Sequence, residues 1–323
     1  SDVYMRQQQH FLAAHKALSD PSRSADPTGD TTRTYLQPFV QDSAPVPPPL
    51  SPASSMRQVR LHAGYSLELI AAEPLVADPV AIDWGPDGRL WVAEMADYPY
   101  GMDGKGQPGG RIRFLEDTDQ DGRYDRSVVF LQGVSFPTAV MPWRKGVLVT
   151  AAPDLFYAED RDGDGRADYR ESILSGFVEG NQQLRVNGLR WGLDNYVYCA
   201  NGGHHAGFGA GNVVETIKSG GQLALGSRDF RFLPDTGITE PLSGPSQFGR
   251  VRDDWGNWFG VQNSHPLWHY VLEDADLRRN PLVAQPDARR QVRVPANPRV
   301  FPAKPPQKRF HSFEQSGRFT SAC

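Results

Sequence analysis

The sequence runs to 323 residues with a formal net charge of -4, its charges of both signs interspersed, so it offers no basic footprint for nucleic acid and no polybasic patch for a membrane surface. No stretch approaches the roughly 18 consecutive apolar residues of a membrane-spanning helix, and the N-terminus lacks a charged segment followed by an apolar core. The 32 Gly, 27 Pro, 16 Phe, 11 Tyr and 7 Trp favour turns and sheet-on-sheet cores over helices. The only cysteines, Cys199 and Cys323, set no disulfide framework and no CxxCH haem motif.

Taken in order, residues 1–19 place Met5, Phe11, Leu12 and Leu18 among polar residues, the pattern of a short amphipathic helix. Residues 20–55 shift to Pro, Ser, Thr and Asp and read as an extended linker. The expected division is therefore 1–58 as helix and linker, and 59–323 as one repeat domain. Tyr65 to Ala71 alternates like a strand and is expected to close a blade formed elsewhere in the chain.

From Asp78 onward a strand–turn–strand unit recurs, at 78–95, 134–153, 185–202 and 247–264, with turn residues Gly88, Gly146, Asn195 and Gly256 at spacings of 58, 49 and 61 residues. Third and fourth strands follow as RIRFLED/SVVFLQG, DLFYAED/ESILSG and RDFRFLPD/ITEPLSG. One four-stranded antiparallel sheet repeated with variable loops predicts an all-β fold, a β-propeller. Blade 1 spans 78–131, blade 2 runs to 176, blade 3 to 244, and blade 4 starts at Ser246. A basic, Pro-rich insertion is expected over 273–315, with RFTSAC resembling the start of a further inner strand. Four blades plus one strand would leave an open edge, so the expectation is a piece of a larger, six-bladed propeller. A complete four-bladed one is the alternative.

Two Asp ladders join third strands to fourth ones: Asp117, Asp119, Asp121 and Asp125, then Asp160, Asp162, Asp164 and Asp168, with Gly122 and Gly165 at the sixth position. Carboxylates spaced by two around a glycine turn wrap oxygen ligands about a hard cation, and calcium is the natural one. Position twelve holds Glu171 in the second loop and Val128 in the first. Four carboxylates this close repel one another unless neutralised.

Loops at the other end of the blades collect polar residues: Glu94, Asp97 and Tyr98 in blade 1; Arg185, Asn187, His204 and His205 in blade 3; Gln247, Arg250, Asn263 and His265 in blade 4. Arginines hold carboxylates in a fork, and a histidine titrates near neutrality and can accept a proton. The bland alternatives are incidental imidazoles in a Gly-rich loop and arginines paired between blades. Trp84, Trp91, Trp143, Trp191, Trp255 and Trp258 recur at repeat positions and are expected in blade cores.

Together DPVAIDWGPDGRLWVAEMADYP, the doubled ladders, NGLRWGLDNYVYCANG, RDFRFLPDTG and QFGRVRDDWGNWFGVQNSHPLWHY resemble the N-terminal β-propeller of planctomycete-type membrane-bound dehydrogenases, over about residues 60–323. That family is similar to the soluble quinoprotein glucose and sorbosone dehydrogenases. The resemblance implies pyrroloquinoline quinone (PQQ) and Ca2+ as cofactors, a small sugar or alcohol as substrate, cytochrome c as an electron acceptor, and an extracytoplasmic (periplasmic or secreted) location. Among the polar-end residues, Arg185, Asn187, Gln247, Arg250 and Asn263 are the candidate cofactor contacts, and His204, His205 and His265 the candidate bases. Where many members carry Thr-His-His, this sequence has Asn181, Gln182 and Gln183. The competing expectation is a non-enzymatic extracellular calcium-binding propeller that recognises glycans or proteins.

Overall fold

The computed structural model describes residues 48–202, 212–262, 265–280, 282 and 286–292, with the backbone alone at 265 and 266. The chain divides into two units, 1–69 with 299–323, and 70–298. In the first, a short helix α1 (Pro52–Met56) follows Ser51, whose hydroxyl accepts from Ser54 N and caps the helix. The helix expected over 1–19 and the terminal RFTSAC lie outside the described residues. The second unit carries the repeat and everything below.

Blade 1 is β1 (Pro79–Trp84), β2 (Leu90–Glu94), β3 (Gly110–Glu116) and β4 (Arg126–Val134), hydrogen-bonded in that order and antiparallel throughout. Blade 2 is β5 (Ala139–Trp143), β6 (Gly146–Ala151), β7 (Asp154–Glu159) and β8 (Tyr169–Ser175). Blade 3 is β9 (Asn187–Trp191), β10 (Val197–Ala200), β13 (Phe230–Phe232) and β14 (Thr239–Pro241), interrupted by a hairpin, β11 (Asn212–Thr216) and β12 (Gln222–Gly226). Blade 4 is β15 (Arg250–Arg252), β16 (Trp258–Gln262), β17 (His265–Tyr270) and β18 (Arg289–Gln291), with helix α2 (Asp274–Arg278) before its last strand. The first strands β1, β5, β9 and β15 neighbour one another in succession. Four antiparallel sheets set radially about their first strands make the fold a β-propeller.

The side-chain period of two explains how blades stack. In β6 every residue is buried: Val147, Val149 and Ala151 face blade 1 against Trp91, Phe114 and Phe130, while Leu148 faces blade 3 in the cluster with Leu189, Val197 and Phe230. A strand buried on both faces reads as a near-continuous apolar run, and in GVLVTA the one polar side chain, Thr150, is buried with its hydroxyl paired to Thr138 Oγ1 at 2.8 Å. A third cluster, Tyr198, Leu242, Trp258, Trp268 and Tyr270, joins blades 3 and 4, with Tyr198 stacked on Trp258 at 3.9 Å between centroids. Each large apolar side chain so buried contributes about 1.5–3 kcal/mol.

Several expectations change. The hairpin β11–β12 leaves blade 3 and pairs with β8, extending blade 2 to six strands. Residues 65–71 form no strand: Ile70 O accepts from Tyr124 N at 3.0 Å and Ala71 packs against Leu90, Val92 and Leu115, without the ladder that a strand requires. The stretch expected as an insertion after 273 supplies the fourth strand of blade 4. Trp91 and Trp258 are buried, whereas Trp84, Trp191 and Trp255 are exposed. These three end the first strands or sit in the turns after them, beyond the reach of the neighbouring blade. Turns at Gly88, Asn195 and Gly256 use positive φ (82°, 65° and 89°). In blade 2 that conformation falls on Arg144 instead (55°), and Gly146 serves a close approach, since a Cβ there would run into the Ala158 carbonyl.

Gly146→Ala is therefore expected to destabilise the protein by about 1–3 kcal/mol, read as a lower urea midpoint at unchanged slope; a wild-type midpoint would contradict the contact.

Candidate functional site

Because strands alternate in direction, connections between blades and those from second to third strands share one end, and the first–second and third–fourth turns share the other. Both ladders lie at the second end, joining β3 to β4 and β7 to β8. Tyr124 ties the first to its blade, its Oη accepting from Trp84 Nε1 (3.0 Å) and donating to Gly88 O (3.1 Å). Ala167 N in the second donates to Phe130 O of β4 at 2.8 Å, linking blade 2 to blade 1.

Within each ladder the first three carboxylates, of Asp117, Asp119 and Asp121 or of Asp160, Asp162 and Asp164, bring oxygens within 4.8 Å of one another. Backbone donors fold the turn: Asp121 N and Gly122 N onto Asp117, Gly163 N and Gly165 N onto Asp160. The fourth carboxylates turn away. Asp125 accepts from Thr118 Oγ1 (2.6 Å) and N (3.0 Å), hydrogen bonds that hold it below the usual carboxylate range, and Asp168 accepts from Arg161 N (2.8 Å). Glu171 stands in β8, 3.6 Å from Lys218 Nζ. Hard oxygen donors of this kind fit calcium, from the three leading carboxylates.

At the polar end, the candidates divide by what they touch. Arg250 is buried: its Nε donates to Asp229 Oδ2 at 2.7 Å, its Nη2 to the Ser243 and Gly244 carbonyls, and its guanidinium lies 3.5 Å from the Tyr270 ring centroid. Asp229, also buried, further accepts from Asn201 N (2.9 Å), Ser246 N (2.9 Å) and Ser246 Oγ (2.6 Å). Asn187 bridges blades, donating to the Arg185 and Gln247 carbonyls (2.8 and 2.7 Å) and accepting from Gly249 N (2.7 Å). Gln247 is buried and donates to Gln183 O at 3.4 Å. Glu94 is likewise structural, 2.8 Å from Arg111 Nε and 3.0 Å from Arg113 Nε.

Arg185 differs from these. Only 5% exposed, it donates through Nη2 to Glu179 O and lies 4.6 Å from the Phe136 ring centroid, while Nε and Nη1 meet no acceptor among the described residues. Burial lowers its pKa, and the charges of Glu179 and then Asp97 oppose that. It lines a cavity of about 340 Å³ with Tyr100, Lys105, Ser135, Phe136, Glu179 and Gln182, within the range of small-molecule sites. Asp97, fully buried, shapes the wall by accepting from Phe136 N (2.8 Å) and Gly109 N (3.2 Å). Gln182 Nε2 donates to Pro99 O (2.8 Å) and Gln183 Nε2 to Tyr98 Oη (3.0 Å), clasping the blade 1 loop to the segment before β9. His204, His205 and Asn263 lie outside the described residues; His265 begins β17, its side chain outside them too.

Sequence reasoning missed Asp229, Lys105 and Glu179. Asp229 stands immediately before a third strand in RDFRF, and only its coincidence in space with Arg250 gives it meaning. Lys105 sits in GMDGKGQPGG, where the crowded glycines were the readable signal of a loop folded tightly on itself.

The fold and this polar end define a β-propeller protein with a cavity between blade loops. Residues 51–323 match the family described as "Domain of unknown function (DUF7133)", and the chain belongs to that family. No curated protein matches the sequence. Among solved structures it is similar to virginiamycin B lyase from Staphylococcus aureus (11% identity, 59% of this chain and 52% of that one, TM-score 0.34). It is also similar to the PQQ domain of pyranose dehydrogenase from Coprinopsis cinerea (12% identity, 59% and 45%, TM-score 0.38). The chain spans about half the length of these structures.

Removing one partner of the buried pair leaves the other charge stranded, so Arg250→Ala is expected to cost about 3–5 kcal/mol. Urea unfolding checks this, and a loss under about 1 kcal/mol, the value of an exposed pair, would contradict it.

Proposed function

We propose that this protein is an extracytoplasmic, quinone-dependent oxidoreductase acting on a sugar or alcohol, with calcium holding the third–fourth turns of blades 1 and 2. The observation that carries it is the buried Arg185, with two donors that meet no acceptor among the described residues, in a cavity at the polar end. The flanks of the link bearing His204 and His205 adjoin the same segment: Gly202 packs on the Leu184 and Arg185 carbonyls, and Asn212 Oδ1 accepts from Val178 N at 2.6 Å.

In this proposal Arg185 binds an acid group in its cavity, and His204 or His205 takes the hydroxyl proton of the substrate. PQQ, when bound, would supply the hydride acceptor. Phe136 and the Gln182 and Gln183 clasps fix the walls, so a ligand meets them with little reorganisation. Arg250, Asn187 and Gln247 support the end of the blades from behind, through the backbone contacts described above.

The test is titration of the protein with PQQ and calcium, followed by dye-linked oxidation across a panel of sugars and alcohols. Expected are quinone binding and quinone-dependent dye reduction, with turnover falling by about 10²–10⁴-fold when the working histidine is replaced by Gln. Absence of both binding and turnover would favour the non-enzymatic propeller that recognises glycans or proteins.

A further inference from the structure

The cavity has a more specific chemistry than its position implies. Its one deeply buried cation is Arg185, and an unsatisfied buried donor of this kind requires an acceptor. Behind the wall stands Asp97, fully buried, with Oδ2 taken by Phe136 N and Gly109 N and Oδ1 without a hydrogen bond among the described residues. At the mouth Lys105 and Glu179 are both exposed and opposite in sign. Arg185 is thus the single buried positive charge among the lining residues, and the opposite charges acting on it are Glu179 and then Asp97. A first anionic group gains the two Arg185 donors, whereas a second meets only the solvated Lys105, which is worth little. The remaining lining groups Ser135, Tyr100 and Gln182 are neutral and protic, suited to hydroxyls.

We propose that the Arg185 cavity receives a single carboxylate on a neutral, hydroxylated small molecule: a monoanionic polyhydroxy acid class. The carboxylate could belong to an acidic sugar or to one acid group of the quinone. This rests on the polar end being the ligand-binding end, and it narrows what binds there.

The experiment is calorimetric titration of the unliganded protein with glucuronate, glucose and the dianion glucarate. Glucuronate is expected to bind at least about ten-fold more tightly than glucose, glucarate no more tightly than glucuronate, and Arg185→Gln to lose at least about ten-fold in glucuronate affinity, as befits a hydrogen bond to a charged group. Lys105→Gln is expected to change it less than about three-fold. Because Arg185→Gln could unfold the protein, a second measurement uses the wild type: the 15N resonance of Arg185 Nε should shift on adding glucuronate and stay in place with glucose. Equal affinity for glucose and glucuronate, or a silent Arg185 resonance, would overturn the proposal. Displacement of glucuronate by PQQ assigns the carboxylate to the quinone; joint binding assigns it to the substrate. Glucuronate binding without any PQQ binding keeps this subsite and removes the oxidoreductase function, while PQQ affinity untouched by Arg185→Gln and a silent resonance do the reverse.

Discussion

The polar end of this propeller depends on one buried ion pair, Arg250 with Asp229. Taking both charges out of water costs several kcal/mol each, and that cost is offset by the hydrogen bonds that both carboxylate oxygens, Nε and Nη2 make. Asp229 accepts from Asn201 N, Ser246 N and Ser246 Oγ as well as from Arg250, and Arg250 spends Nη2 on two carbonyls. The residues come from the end of β10, the start of β13 and the link into β15, so the pair fixes blade 4 on blade 3. Its charge reaches further: burial, and then Asp229, push the Tyr270 phenol up to about 12.

A similar device holds blade 1 to the link into blade 2. Asp97 accepts from Phe136 N and Gly109 N, and Phe136, held at a φ of 43°, places its ring against Arg185. A buried carboxylate thus stands at each of two blade junctions, and the one at Asp97 orders the loops that line the cavity. In one case the arginine is used up by the fold, and in the other two of its donors have no acceptor among the described residues. That difference separates Arg250 from Arg185, which look alike in the sequence.

Most of the fold was legible because its signals are local. Alternating strands and turns at regular spacing placed β1 to β10 and β13 to β16, and the ladders announced the third–fourth turns. The hairpin β11–β12 was not legible, although NVVETIKSGGQLALG carries a strand–turn–strand pattern, because pairing with β8 is a choice among distant edges. The same reason hid β18, a three-residue strand in a basic stretch recognisable only beside β17. For the site, residue type showed which side chains could bind an anion, and only packing showed which were already engaged. Asn187 and Gln247 read as ligand contacts and stand as bridges between strands.

In the proposed function the two ends of the blades divide the work, carboxylate turns for stability at one and a ligand cavity at the other. They are separated by a strand length of five or six residues, roughly 17–20 Å, well beyond the ~8–10 Å over which exposed charges act in physiological salt. A cation at the ladders would stabilise only the native state and leave the cavity unchanged. The most direct test is a calcium titration of melting temperature, paired with PQQ affinity, on the wild type and on Asp119→Asn with Asp162→Asn. The predicted result is a calcium-dependent rise in melting temperature that the substitutions abolish while PQQ affinity stays the same. Collapse of PQQ affinity at unchanged melting temperature would contradict the division.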